Sequence, residues 1–489
     1  MSDFIGNSVG KPQVDFGTPR LNIVLPLSAA QLGIWFAQQI NPSNPLYNIG
    51  EYIEIEGSVD PILFEQALRL VVVETQSLHV QIEDQSGQPR QIIGSPPTWS
   101  LPLIDVSAEI DAREAAEFWM KADLERAVEP TRGPLFAFVL FKAGPKRFFW
   151  YARYHHIVMD GFGMALVARR LAELYTRLSA GLVADESSFG SLVALIEDDA
   201  AYRASDQFAQ DRQYWSNYLV DRPEPVSLSG LPSAGSNSFI RNTAYLQPAD
   251  FDRFTAITQR LRTSPARVIT AATAIFLHRM TGAQDLILTL PVSARDPASE
   301  HTPGMTANVL PLRLTVCPSM SVSEVVDQAA QQIREGLKHQ RCQIADLRRD
   351  IHQVADDRAI FGPSVNIMRF NYELNFAGSR GSAYNLSNGP VEDLMIVAYD
   401  RPDDGRLRID FNANPALYGA TELADHHQRF LRLLTGLADP DRPIGTLDIL
   451  GSEERHRLLV GWNDTAHAIA SSTLPELFAA QVGRTPEAV

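Results

Sequence analysis

Tyr154-His155-His156-Ile157-Val158-Met159-Asp160-Gly161 is the stretch on which the reading of this 489-residue chain turns. It lies where an aromatic-rich strand gives way to a helix. Upstream, Leu135 to Tyr154 reads as a hairpin turning at Ala143-Gly144-Pro145, its arms rich in residues that favour pleated sheet. Downstream, Met164, Val167, Leu171, Leu174 and Leu178 recur at helical spacing as far as Gly181. Neighbouring strand side chains face opposite ways, so His155 and His156 are expected to diverge, and only one of them can act as base toward a given substrate. Asp160 and Gly161 fit a tight turn into the helix, glycine supplying unusual dihedrals and aspartate bonding backbone donors or a cation. Imidazole titrates near neutrality and can take a proton from an amine or hydroxyl and return it, which suits acyl transfer from a thioester. The plainer alternative is a histidine pair that packs and hydrogen-bonds at a strand end.

The flanking sequence alternates helix and strand. Ser28 is placed to cap a helix carrying Ala29, Gln31, Ile34, Trp35 and Ala37, followed by a strand at 51–56, a helix at 61–74 and a strand at 77–83. Residues 223–237, dense in Pro, Ser and Gly, form the clearest linker. Beyond it the spacing predicts helices at 265–281, 322–340 and 420–437, and strands at 286–292, 310–316, 364–372, 394–399 and 407–411. Two halves of similar vocabulary joined by a linker imply an α/β (α+β) protein of two lobes with a ligand cleft between them. The expected division is a flexible leader at 1–20, a first lobe at 21–222, the linker at 223–237, a second lobe at 238–450 and a further segment at 451–489.

Composition narrows the function classes. With 45% hydrophobic and 21% charged residues the chain is globular in character, and a net charge of -15 disfavours general attraction to nucleic acid or an anionic membrane. Cys317 and Cys342 are too few to brace a chain of this length and have no metal-ligand spacing, which suits a reducing compartment. The first residues lack the pattern of a signal peptide, and no apolar run is long enough to cross a bilayer, so a cytoplasmic protein is expected. No Gly-x-Ser-x-Gly elbow is set between a strand and a helix, the match Gly6-Asn7-Ser8-Val9-Gly10 falling in the expected leader, and no complete phosphate-binding glycine loop is present.

Residues 155–161 match His-His-x-x-x-Asp-Gly, and with them the sequence resembles the condensation domains of nonribosomal peptide synthetases. Pro26-Leu27-Ser28-Ala29-Ala30-Gln31 with Ile34-Trp35 resembles that family's opening motif, with Leu32-Gly33 in place of a more basic pattern. Ala307-Asn308-Val309-Leu310-Pro311-Leu312, His339-Gln340-Arg341 and Phe361-Gly362-Pro363-Ser364-Val365-Asn366-Ile367 resemble later motifs in the family's order. Leu78-His79 stands where the family usually has Leu-Arg. Details at 150–154 and 361–363 are similar to siderophore synthetases that accept an aryl or acyl donor. Residues 451–489, ending in Thr485-Pro486-Glu487-Ala488-Val489, look like the opening of an adenylation domain, which implies an excised first piece of a larger synthetase.

The resemblance implies a chloramphenicol-acetyltransferase-like pseudo-dimer with a cleft or tunnel, and amide formation between an acyl thioester on an upstream carrier protein and an aminoacyl amine on a downstream one. Both substrates would arrive on phosphopantetheine arms, with no cofactor or metal bound by the domain itself. His156 is the implied catalytic residue and His155 its structural neighbour. Asp160 is implied to pair with Arg295, Gly161 to serve the turn, and Asn308 and Asn366 either to line the tunnel or to end their strands. A catalytically silent recruitment module is the rival reading. For carrier docking, the basic run Lys338-His339-Gln340-Arg341 with Arg348-Arg349 is the candidate, its alternative being a solvated helix face.

Overall fold

The computed structural model describes residues 22–231, 236–352, 362–368, 374–403, 406–466 and 472–488. The expected leader, the middle of the linker, Phe361, the end of the strand placed at 364–372, and Val489 lie outside the described residues. The chain divides into a large unit ending at Leu447 and a small one from Asp448.

In the first half of the large unit the order is β1 (Ile23–Pro26), α1 (Ala29–Ile40), β2 (Asn48–Glu56), α2 (Pro61–Glu74), β3 (Val80–Gln85), β4 (Gln88–Ile93), β5 (Leu103–Asp105), α3 (Ala112–Leu124), β6 (Phe136–Gly144), β7 (Arg147–His155), α4 (Gly161–Ser179), α5 (Leu192–Arg203) and α6 (Asp206–Tyr218). There follow β8 (Ile240–Tyr245), α7 (Pro248–Arg260), α8 (Pro265–Thr281), β9 (Asp285–Val292), β10 (Asn308–Thr315), α9 (Val322–Lys338), α10 (Ile344–His352), β11 (Ser364–Met368), β12 (Leu374–Phe376), β13 (Ser379–Ser387), β14 (Leu394–Asp403), β15 (Arg406–Ala413) and α11 (Ala420–Gly436). The small unit carries α12 (Ser452–Leu459) and α13 (Leu474–Arg484).

Each lobe is built on a six-stranded sheet. The first runs β12-β13-β2-β7-β6-β5 and the second β10-β9-β11-β14-β15-β8, with a small sheet β1-β4-β3 beside the first. The segment 374–387 therefore crosses back from the second half of the chain, and β13 pairs with β2 so that Tyr384 stacks on Tyr52 at 5.0 Å between ring centroids. In the other direction, α6 leaves the first half and buries Trp215 and Leu219 against Ile287 and Leu310 of the second sheet.

Alternation along β7 explains the two faces of the first sheet. Trp150, Ala152 and Tyr154 join the core under α2 and α4, while Phe149 and Tyr151 face α3 with Met120 and Ala116. Local signals fixed the helices well. The Ser28 hydroxyl and Gln31 side chain form a reciprocal capping box at the start of α1. Where 77–83 reads as a strand, residues 76–79 instead form a 3-10 turn before β3, and His79 Nε2 bonds the Val72 carbonyl at 2.6 Å at the end of α2. That contact ties the turn back to the last residues of α2. Gly33, the other departure, would bring a Cβ to 3.3 Å of Ala345 and so permits close approach of α1 and α10.

Candidate active site

His155 is the last residue of β7 and His156 the first beyond it. The two imidazoles do separate. His155 is buried, and Ile157 N donates to its Nδ1 at 3.2 Å, which places the proton of the neutral ring on Nε2, an atom without a partner among the described residues. Burial, with the charges of a protonated His156 and Arg153 as lesser causes, pushes its pKa down to about 3. It is a neutral packing group across the physiological range.

His156 has the opposite arrangement. Its Nδ1 lies 2.9 Å from the Met159 carbonyl, which can only accept, so Nδ1 carries the proton and Nε2 keeps a lone pair. The backbone is held by His156 N donating to Tyr47 O at 2.7 Å. Burial lowers the His156 pKa below 6.5 against the opposing influence of Asp160 and the Met159 bond. A neutral imidazole with a free, basic Nε2 results, on the wall of a cavity of about 860 Å³ between the lobes.

Asp160 caps α4, its Oδ1 accepting from Gly163 N at 2.8 Å. Its Oδ2 accepts from Arg295 Nη1 at 2.7 Å, Thr306 N at 3.0 Å, Thr306 Oγ1 at 3.2 Å and Ala307 N at 3.2 Å. Burial alone would raise the carboxyl pKa, but the Arg295 charge and these hydrogen bonds overcome it and hold the group below its ordinary range. Arg295, itself buried, also donates to Gly304 O at 3.1 Å and lies over the Phe162 ring. The pair thus fastens the turn after β7 in one lobe to the segment leading into β10 in the other. Both Asp160 oxygens are thus engaged at the lobe junction.

Gly161 differs from its expected role. It is not among the glycines with positive φ and simply opens α4, where it lines the cavity beside His156. Asn308 touches the cavity too, yet its side chain is consumed internally: Nδ2 donates to the Gln340 and Cys342 carbonyls at 2.8 and 2.7 Å, and Oδ1 accepts from Ile344 N at 3.0 Å. It opens β10 instead of ending it, and pins the start of α10. Asn366 sits in the middle of β11 and lines the cavity.

The sequence reading passed over Gly389. Its φ is +97°, and a Cβ there would stand 3.2 Å from His156 Cδ2 and 3.8 Å from Nε2. Any side chain at 389 would therefore crowd the imidazole; the Gly-Pro dipeptide at 389–390 was the available signal. The basic run is laced with ion pairs. Lys338 pairs with Glu335, His339 with Asp211, Arg341 with Asp198, Arg348 with Glu392 and Arg349 with Asp346. Lys338, Arg348 and Arg349 keep exposed side chains in these pairs. Among the described residues no cluster of His, Cys, Asp or Glu could hold a metal ion, and no helix is long and apolar enough to cross a membrane.

Comparison with known proteins finds relatives over most of the chain. A family profile described as "Condensation domain" matches residues 22–459. The chain is 46% identical over 465 residues to the dimodular nonribosomal peptide synthase of Bacillus subtilis, covering 95% of this chain and 20% of that protein. It is 40% identical over 434 residues to the isonitrile lipopeptide synthase of Streptomyces coeruleorubidus, covering 88% of this chain and 30% of the other. The chain thus spans less than a third of either curated relative. A crystal structure of the starter condensation domain of rhizomide synthetase in complex with C8-CoA superposes with a TM-score of 0.83 at 43% identity, covering 87% of this chain and 98% of that one.

Proposed function

The chain belongs to the condensation-domain family, the amide-forming acyltransferases of nonribosomal peptide synthetases, and from that premise we propose that it passes an acyl group from a carrier-borne thioester to the amine of an aminoacyl group on a second carrier, with His156 facing that amine. Condensation domains bind no cofactor of their own, their substrates being delivered on carrier arms. The observation that carries the reading is the unprotonated Nε2 of His156 on the wall of the interlobe cavity.

In the proposed step the amine nitrogen attacks the thioester carbon, forming the C–N bond and moving the carbonyl electrons onto oxygen. The nitrogen gives a proton to His156 Nε2. Collapse re-forms the carbonyl, breaks the C–S bond and releases a thiolate, which recovers the proton from the imidazolium. General base help of this kind contributes about 10²–10⁴-fold. The Met159 carbonyl holds the ring in the tautomer that the step needs, and Asp160 with Arg295 holds the turn that presents it.

For the donor we favour an acyl chain. The cavity wall carries Met164, Leu290, Val292, Met305, Ile333 and Leu337, an apolar lining suited to hydrocarbon. The likeness to a starter condensation domain holding C8-CoA and to a protein named a lipopeptide synthase supports the same choice. A siderophore product is the narrower alternative, supported by motif details at 150–154 and 361–363 and by 30% identity over 472 residues to enterobactin synthase component F of Escherichia coli. Residues 451–489, which include the amphipathic α13, are read as a linker and the start of an adjoining adenylation domain, in keeping with the fraction of its relatives that the chain spans.

Mass spectrometry of loaded donor and acceptor carriers incubated with the protein tests the proposal. Mass transfer of the acyl group onto the acceptor arm is expected; intact substrates in the presence of a folded protein would favour a silent recruitment module.

A further inference from the structure

Three arginines line the interlobe cavity, and they are not alike. Arg348 is engaged by Glu392 at 2.9 Å. Arg169 of α4 and Arg267 in the first turn of α8 have neither a carboxylate nor a hydrogen-bond partner for their guanidinium groups among the described residues. In a chain with a net charge of -15, where many arginines are tied into ion pairs, two unspent cations lining one cavity stand out. They come from opposite lobes. Ser264, the N-cap of α8, lines the cavity too and its hydroxyl makes no capping bond. The first turn of that helix adds partial positive charge on the Arg267 side.

Distance along α4 indicates what the pair would hold. Gly161, Ala165 and Arg169 recur every fourth residue, and all three line the cavity. Arg169 is eight positions past Gly161, hence about 12 Å along the helix at 1.5 Å per residue. An arm of two amide links and short methylene runs, ending in a thiol at one end and a phosphate at the other, reaches roughly 15 Å at about 3.6 Å per three-bond unit. With its sulfur beside His156, its phosphate falls within reach of the Arg169 side chain.

We propose that Arg169 and Arg267 clamp the phosphate of a pantetheine arm, one cation from each lobe, and so set the depth at which the thioester or the aminoacyl group lies against His156. The clamp rests on the function proposed above. Arginine suits it because its planar fork matches a phosphate oxygen pair.

The test measures binding of 4′-phosphopantetheine and of pantetheine, which differ by the one phosphate, to the full chain and to Arg169→Ala, Arg267→Ala and the double variant. The wild-type protein is expected to prefer the phosphorylated probe. Each single substitution should weaken that probe about 5- to 20-fold, between an exposed ion pair and a hydrogen bond to a charged group, with pantetheine unaffected. Condensation assays then vary each partner separately between a carrier-borne arm and a phosphate-free N-acetylcysteamine thioester. A rise in KM confined to a phosphate-bearing donor assigns the clamp to the donor arm, and one confined to the acceptor assigns it to the acceptor arm; both support it. Equal wild-type affinity for the two probes, or equal weakening of both in the variants, overturns it. Turnover of phosphate-free substrates by the wild-type protein keeps the two claims apart: if it persists without any phosphate preference, only the clamp fails, whereas no amide from any substrate pair would sink the function itself.

Discussion

Replacing Asp160 with Ala strands Arg295. The guanidinium side chain is only 3% exposed and the carboxylate 2%, so neither charge can turn to water when the other is lost. Removing one partner of such a buried pair costs about 3–5 kcal/mol. Asp160→Ala also frees Gly163 N, Thr306 N and Ala307 N from their acceptor. Arg295→Ala leaves those backbone donors in place around the carboxylate, so its cost is expected at the lower end of that range and the Asp160 variant at the upper. For a cooperative unit of roughly 430 residues, at about 2.1 cal/mol/K per residue, 4 kcal/mol corresponds to a fall in Tm of about 4 °C. The double variant should be little worse than Asp160→Ala, a coupling of about 3 kcal/mol in a double-mutant cycle. Thermal and urea unfolding followed by circular dichroism supply the measurement. Losses that add to within about 0.5 kcal/mol would mean that the two residues do not act as a pair, and the clamp between lobes would have to be abandoned.

Three other outcomes follow from the same geometry. Asp160 is held below its ordinary value of 3.8 in the folded chain, so it contributes stability above that pH which is lost as pH falls through the lower folded value; Asp160→Asn should flatten the unfolding midpoint against pH in that acid range. Because burial keeps His156 neutral below pH 6.5, the acid limb of the kcat/KM profile should lie on the acid side of 6.5, and a limb well above 6.5 would contradict a desolvated base. Gly389→Ala forces an L side chain into positive φ, at about 1–2 kcal/mol, and pushes it against the imidazole at 3.2 Å; turnover should drop about tenfold or more while the fold survives, and unchanged turnover would show that this face of His156 is not used.

The parts of the molecule legible in the sequence are those whose cause is local. Pro61–Glu74 and Pro265–Thr281 begin at proline after a capping residue and bury residues at helical spacing, and both helices stand at those bounds. The separation of His155 from His156 followed from strand alternation, and the meeting of Asp160 with Arg295 from the family's motif. The return of β12 and β13 to the first sheet was not legible. Its pairing joins Tyr384 to Tyr52 across more than three hundred positions, and the Ser-, Gly- and Asn-rich sequence of β13 has little apolar alternation to mark it as a strand. Gly389 was missed for the same reason, since nothing near it in sequence shows that it will press on His156. The ion pairs of Arg341 and Arg348 could not be seen either, because Asp198 and Glu392 are distant in sequence from the arginines they meet.

The central claim is that His156 Nε2 takes the amine proton. Its most direct test is amide formation by His156→Ala, measured by mass spectrometry with both carriers loaded and with circular dichroism matched to the wild-type protein. The expected result is a loss of about 10²–10⁴ in the single-turnover rate with the fold intact. Condensation at the wild-type rate by the folded variant would contradict it.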